Sequence, residues 1–158
     1  MLLVAQFSNA QNALVPDWVK IKGSPAAGHT QGWGVDADKA GNVYWPISVD
    51  SMGQGLDIVC YKYDANGNSL WTTPFFYGGA GAQQAYVCQA KDSALYIGGR
   101  YCPIHGFSCE MLLLKIDKEN KNLLWSKTQD FGNNGYDEID GLAIRSDGIY
   151  CGGWGQAL

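Results

Sequence analysis

The chain is poor in charge. Only 16% of its 158 residues are Asp, Glu, Lys or Arg, no run of Lys or Arg occurs, and the formal net charge is −4. Nucleic-acid binding needs a basic patch that neutralises phosphates, so that class of partner is excluded. No apolar stretch approaches the roughly 18 residues needed to cross a bilayer as a helix, so no membrane span is expected. None of the five cysteines stands in a C-x-x-C pair, which argues against a zinc ribbon or a thioredoxin-type site. G-x-S-x-G, H-E-x-x-H, P-loop and dinucleotide fingerprints are all absent. His29 and His105 are the only histidines.

Glycine and aromatic residues are plentiful, at 21 glycines and 13% aromatics, as suits short strands joined by tight turns. They recur with a period. Trp18, Trp71 and Trp125 are spaced by 53 and 54, and Tyr44, Tyr96 and Tyr150 by 52 and 54. Each unit reads Trp, a short run, a Gly-rich loop, a second apolar run, a tight turn, x-Tyr-x-x-Gly, then an alternating run ending in Asp. A repeat of about 50 residues with four short strands and no helical stretch predicts a β-propeller blade. The expected fold is therefore all-β, with blade 1 at 18–70, blade 2 at 71–124, and blade 3 at 125–158 without its fourth strand. Propellers close with roughly four to eight blades, so the ring is expected to be incomplete in one chain, with further blades or a second copy closing it. Residues 1–17 read either as a truncated secretory signal, cleaved after Ala10, or as a closing fourth strand over Leu2–Phe7.

First strands are predicted at Trp18–Lys22, Trp71–Tyr77 and Trp125–Phe131, and second strands at Gly32–Ala37, Ala85–Ala90 and Gly141–Arg145. Third strands follow at Asn42–Ser48, Ala94–Arg100 and Gly148–Trp154. The fourth strands, Asp57–Tyr63 and Glu110–Ile116, are apolar on both alternating faces. Val59, Tyr61 and Tyr63 lie on one face of the first, and Ile58 and Cys60 on the other, with Lys62 near the end. Such a strand must be covered on both sides, as stacked blades would cover it. Asn66-Gly67, Gly41 and Ser146-Asp-Gly148 mark tight turns at one end of the units. Longer loops gather at the other end, which makes that end the candidate recognition face. On it lie His29, Gln31, Gln83, Gln84, His105, Tyr136, Asp137 and Glu138.

Cys102 and Cys109 flank one of these loops, and their sulfurs would meet across its base if it joins antiparallel strands. Two free thiols at the loop edge are the alternative. Cys60, Cys88 and Cys151 fall inside predicted strands, as small core hydrophobes. Trp18, Trp71 and Trp125, with Tyr44, Tyr96 and Tyr150, recur at the repeat period and are read as structural. The indole N–H groups are expected to bond backbone carbonyls. Trp33, Trp45 and Trp154 do not recur and are the tryptophans open to ligand stacking. Asp36-x-Asp38-x-x-Gly41 looks like a calcium loop, but the position for the bidentate Glu holds Ile47, so a hairpin turn is expected. No metal, cofactor or catalytic residue is assigned.

The runs Asp36-Ala-Asp-Lys-Ala-Gly-Asn-Val-Tyr44, Lys62-Tyr-Asp-Ala-Asn-Gly-Asn-Ser-Leu-Trp71 and Ile149-Tyr-Cys-Gly-Gly153 resemble the bacterial β-propeller repeat labelled SBBP, over residues 18–154. Repeat two departs from that pattern at Gln89–Ala94, and repeat three at Arg145. The resemblance implies a secreted, periplasmic or cell-surface protein without catalysis; the repeat and the absence of a catalytic constellation point to a scaffold whose longer-loop face binds protein or glycan. The Trp-ended junctions also resemble repeats of pyrroloquinoline-quinone dehydrogenases, which implies the alternative of a propeller enzyme, quinoprotein-like or carbohydrate-active. Neither an adjacent Cys pair nor a calcium-ligand set accompanies that second likeness.

Overall fold

The computed structural model describes residues 2–7, 16–22, 29–50, 55–104, 108–132 and 135–155. Among them there is no helix, and the strands are β1 (Leu2–Phe7), β2 (Pro16–Lys22), β3 (Thr30–Gln31), β4 (Asp36–Ala37), β5 (Val43–Asp50), β6 (Leu56–Tyr63), β7 (Phe75–Tyr77), β8 (Ala82–Lys91), β9 (Ala94–Ile104), β10 (Ser108–Asp117), β11 (Leu123–Gln129), β12 (Asp137–Ile144) and β13 (Ile149–Gly155). They form four small antiparallel sheets: β1–β2, β3/β4–β5–β6–β7, β8–β9–β10–β11, and β12–β13. The protein is all-β.

Sheet membership is offset from the sequence repeat. Each Trp segment leads to a strand that pairs with the strand before it, so the third sheet spans 82–129 rather than the repeat unit 71–124. Trp18 stands opposite Gln6, and Trp125 opposite Lys115. Turn chemistry explains the offset. Asp64 accepts from the backbone N–H groups of Asn66 and Asn68, and Asp117 from those of Glu119 and Asn120, and these tight turns fold each Trp segment back on its predecessor. The Gly-rich segment around 78–81 instead carries the chain onward to the next sheet.

Two strands are shorter than their predicted extents. Pro74, which has no N–H to give a ladder, stands at the entrance to β7, so the strand covers only Phe75–Tyr77 and Trp71 lies outside it. Of the predicted strand at Gly32–Ala37 only β4 (Asp36–Ala37) is a strand, with β3 (Thr30–Gln31) ahead of it across a break. Gly34 lies at the break, where its backbone runs against β8; a Cβ there would sit 2.9 Å from the Val87 Cα.

The sheets pack face to face. Ile58 and Cys60 of β6 join Tyr44, Trp71 and Phe75 against Leu95, Ile97, Leu112, Leu114 and Ile116 of the third sheet. The opposite face of β6, with Val59, Tyr61 and Tyr63, joins Trp45 and Ile47 against Val4 and Trp18 of the first sheet. Side chains also tie sheet to sheet at repeating positions. Asp36 accepts from the Ala90 N–H at 2.7 Å, and Gln89 from the Ile144 N–H at 2.8 Å.

Cys60 and Cys88 are buried, and burial pushes both thiols up. Cys151 is exposed, unlike its expected core position, because β13 has a partner on one edge only among the described residues. Tyr150 is exposed for the same reason and donates its hydroxyl to Asp147. The tryptophans also diverge. The Trp18 indole donates to the Ala65 carbonyl at 2.9 Å and to Gln6. Trp71 packs edge-on against Tyr44, but its buried N–H has no partner. Lys62 stands where Gln6 stands in the first sheet, and its ammonium takes the Lys118 carbonyl, the counterpart of the Ala65 carbonyl one repeat earlier. Trp125 stacks edge-on against Tyr96.

Cys102 and Cys109 are joined by a disulfide that closes the β9–β10 connection, with a sequence separation of 7. A loop this short implies about 2.5 kcal/mol of stabilisation on the chain-entropy account. The Cys102→Ser/Cys109→Ser double variant should lose roughly that amount in urea unfolding, and reduced wild type should match it. Lys62→Gln, which copies the Gln6–Trp18 arrangement, should stay within about 1 kcal/mol of wild type, whereas Lys62→Ala should lose about 2 kcal/mol through its cavity and lost hydrogen bonds.

Candidate binding site

Edge strands β3, β8 and β12 belong to three different sheets and occupy matching edge positions in them. Gln31, Gln84 and Glu138 occupy one repeating position on them, at spacings of 53 and 54, at the end where the longer loops enter. Gln84 donates to the Gln31 side-chain oxygen at 2.8 Å. Its own oxygen accepts from Tyr86 at 3.2 Å and from the Arg100 Nε at 2.6 Å. Arg100 reaches on to Glu138 at 3.1 Å, an ion pair with both side chains about three-quarters buried. Its guanidinium lies 5.6 Å from the Tyr86 ring centre and 5.5 Å from that of Tyr136. Burial pushes the Tyr86 phenol up to about 12; Arg100 pulls it back, and Glu138 and Asp140 add to the rise. Tyr86 therefore stays a neutral hydroxyl donor at neutral pH.

The structure thus brings Gln31, Gln84, Tyr136 and Glu138 together around Arg100. Arg100 and Tyr86 were not among the residues singled out by sequence. Both lie in strands, and the signal for them is indirect: Arg100 follows the x-Tyr-x-x-Gly of repeat two, on the strand beside Gln84.

The other candidates serve different ends. Gln83 is buried and donates to the Ala80 carbonyl. Asp137 is fully buried and accepts from the Phe131 N–H at 2.8 Å, holding the loop that leads into β12. His29 is exposed, and its carbonyl accepts from Asp50, so it belongs to a loop closure outside the cluster. His105 lies outside the described residues. Trp45 is buried against Tyr61 in the core and is not open to a ligand, whereas Trp33 and Trp154 are exposed.

The Asp36-x-Asp38 pair is committed to structure. Asp36 ties β4 to β8. Asp38 accepts from the backbone of Ala40 and Asn42, the Asn42 amide and the Tyr44 hydroxyl, and pairs with Lys118 at 3.5 Å. No cluster of three His, Cys, Asp or Glu able to hold a metal occurs among the described residues. Among them, too, no helix is long and apolar enough to cross a membrane. No protein-family model matches the chain, and no curated protein matches its sequence.

Burial opposes the Asp38 charge, but the bonds from Asn42 and Tyr44 and the Lys118 charge outweigh it and hold the carboxyl at about 2 against its usual 3.8. A carboxyl lowered on folding contributes stability above its unfolded value and loses it as pH falls through the folded one. Wild type should therefore weaken between about pH 4 and pH 2, and Asp38→Asn should show a flatter acid limb. Urea unfolding at several pH values across that window checks this.

Proposed function

We propose that the sheets are blades of a β-propeller and that the chain is a non-catalytic scaffold binding a protein or glycan at the longer-loop end. On this reading β3/β4–β7 and β8–β11 are two full blades, and β1–β2 and β12–β13 are two half blades. The likeness to SBBP repeats supports a location outside the cytoplasm, secreted, periplasmic or on the cell surface. The Cys102–Cys109 disulfide suits an oxidising compartment of that kind.

One observation carries the binding role. Gln31, Gln84 and Glu138 recur once per sheet, and Arg100 joins the last two into a single polar network between Tyr86 and Tyr136. Purely structural repeats need no convergence of amide, carboxylate, guanidinium and aromatic groups at one strand end. Such a mixture suits a polar ligand with hydroxyl or amide groups and apolar faces, as sugars and peptides have. The fixed guanidinium would serve as the anchor.

Arrays of oligosaccharides and surface proteins test this. Wild type should bind a defined subset, and Arg100→Ala should weaken that binding roughly tenfold or more, as loss of an anchoring Arg does. Gly148→Ala, at the opposite end, should leave it unchanged. No binding on either array, together with hydrolase or lyase turnover, would overturn the proposal.

A further inference from the structure

The two half sheets are complementary halves of one full sheet. In the second and third sheets the strand order runs from an edge strand through β5 or β9 and β6 or β10 to the Trp-derived strand. The fourth sheet, β12–β13, matches the first two strands of that order. The first sheet, β1–β2, matches the last two. Among the described residues, one edge of β13 and one edge of β1 have no strand partner.

The exposed residues are those that a full sheet buries. Tyr44 and Tyr96 are 0% and 8% exposed, whereas Tyr150 at the same repeat position is 52% exposed. Leu95 is 0% exposed and its counterpart Ile149 38%. Every residue of β13 is exposed. On the first sheet, the face away from Val4 and Trp18 carries Leu3, Val19 and Ile21, with cross-strand pairs Leu3–Ile21 and Ala5–Val19. Leu3 and Ile21 are more than half exposed. Beside β13 lies an apolar cavity of about 340 Å³, lined by Met111, Leu113, Ile139 and Cys151 with Lys127 and Gln129 at its side. In the second sheet the matching region beside β5 is filled by its own third strand, which packs on Val4 and Trp18.

We propose that a second copy of this chain fills that place. β1 of each copy adds antiparallel to β13 of the other, and the Leu3/Val19/Ile21 face closes over the Met111/Leu113 cavity. The exchange is reciprocal, so two copies make six sheets with no free β1 or β13 edge, an isologous closed dimer. The idea rests on reading the sheets as propeller blades.

The chain itself fixes the register. Tyr44 pairs with Lys62 and Tyr96 with Lys115, and each following pair steps inward by one. Lys115 faces Trp125 as Gln6 faces Trp18, so Gln6 holds the position of Lys115. Tyr150 therefore pairs with the partner's Gln6, Cys151 with the partner's Ala5, and Gly153 with the partner's Leu3.

Cys151 is a free, exposed thiol, which makes the register directly testable. Ala5→Cys should form an intermolecular disulfide with Cys151 under mild oxidation, giving a single dimer band on a non-reducing gel. Gln6→Cys points to the opposite face and should cross-link at least tenfold less. Light scattering of wild type should give twice the 17.2 kDa chain mass. A monomer at tens of micromolar, a ladder of higher species, or cross-linking through position 6 rather than 5 would overturn the proposal. Amide exchange on the same samples separates the two readings. A monomer with protected β8–β10 amides removes the second copy and leaves the blades standing. A monomer with unprotected β8–β10 amides removes both.

Discussion

Coverage of β6 on both faces is the constraint on which the rest depends. A strand with apolar residues on both alternating faces cannot lie on a sheet with one wet side, because one set of those side chains would face water. Ile58 and Cys60 point into the core shared with the third sheet, while Val59, Tyr61 and Tyr63 point into the core shared with the first. The second sheet is therefore held between two others, and stacking follows from the strand rather than from any single contact. Among the described residues, each flanking half sheet packs on one neighbouring sheet, and its outer face is exposed.

Between the stacked faces, polar side chains set the registry. Asp36 and Gln89 reach across to backbone N–H groups of the next sheet at equivalent positions. Lys62, buried beneath Tyr44, donates to the Lys118 carbonyl and pairs with exposed Glu119. Its charge is tolerable because the carbonyl and the tyrosine face compensate it locally, rather than because the ion pair is strong; one partner of that pair is open to solvent. The Lys118 carbonyl, counterpart of the Ala65 carbonyl that accepts from Trp18, accepts from Lys62, and the Trp71 N–H has no partner. The repeat thus has alternative solutions at one junction, Gln with a bonded indole or Lys with an unbonded one.

The polar cluster around Arg100 has a different origin. Nothing in the packing of the apolar faces calls for a guanidinium held between two tyrosine rings and bonded to residues of two sheets. It forms where edge strands from separate sheets come together, and so it exists only once those sheets have stacked. This is why a site can lie at the strand ends of a scaffold whose repeat motif carries no reactive group.

The all-β class, the period, the hairpin turns and the two-faced character of the fourth strands were legible in the sequence, because each depends on spacing and local chemistry. Gln31, Gln84 and Glu138 were legible as residues of the longer-loop end for the same reason. Sheet membership was not: a tight turn at Asp64–Asn68 pairs the Trp segment with the strand before it, and a repeat can be cut at any phase. Nor were the roles of Arg100 and Tyr86, the burial of Trp45 or the exposure of Cys151, since these depend on which sheet lies beside which. Periodicity is a property of the chain and survives in one dimension. Which face meets a neighbour, and which polar groups converge across a junction, is decided only when residues tens of positions apart are brought into contact.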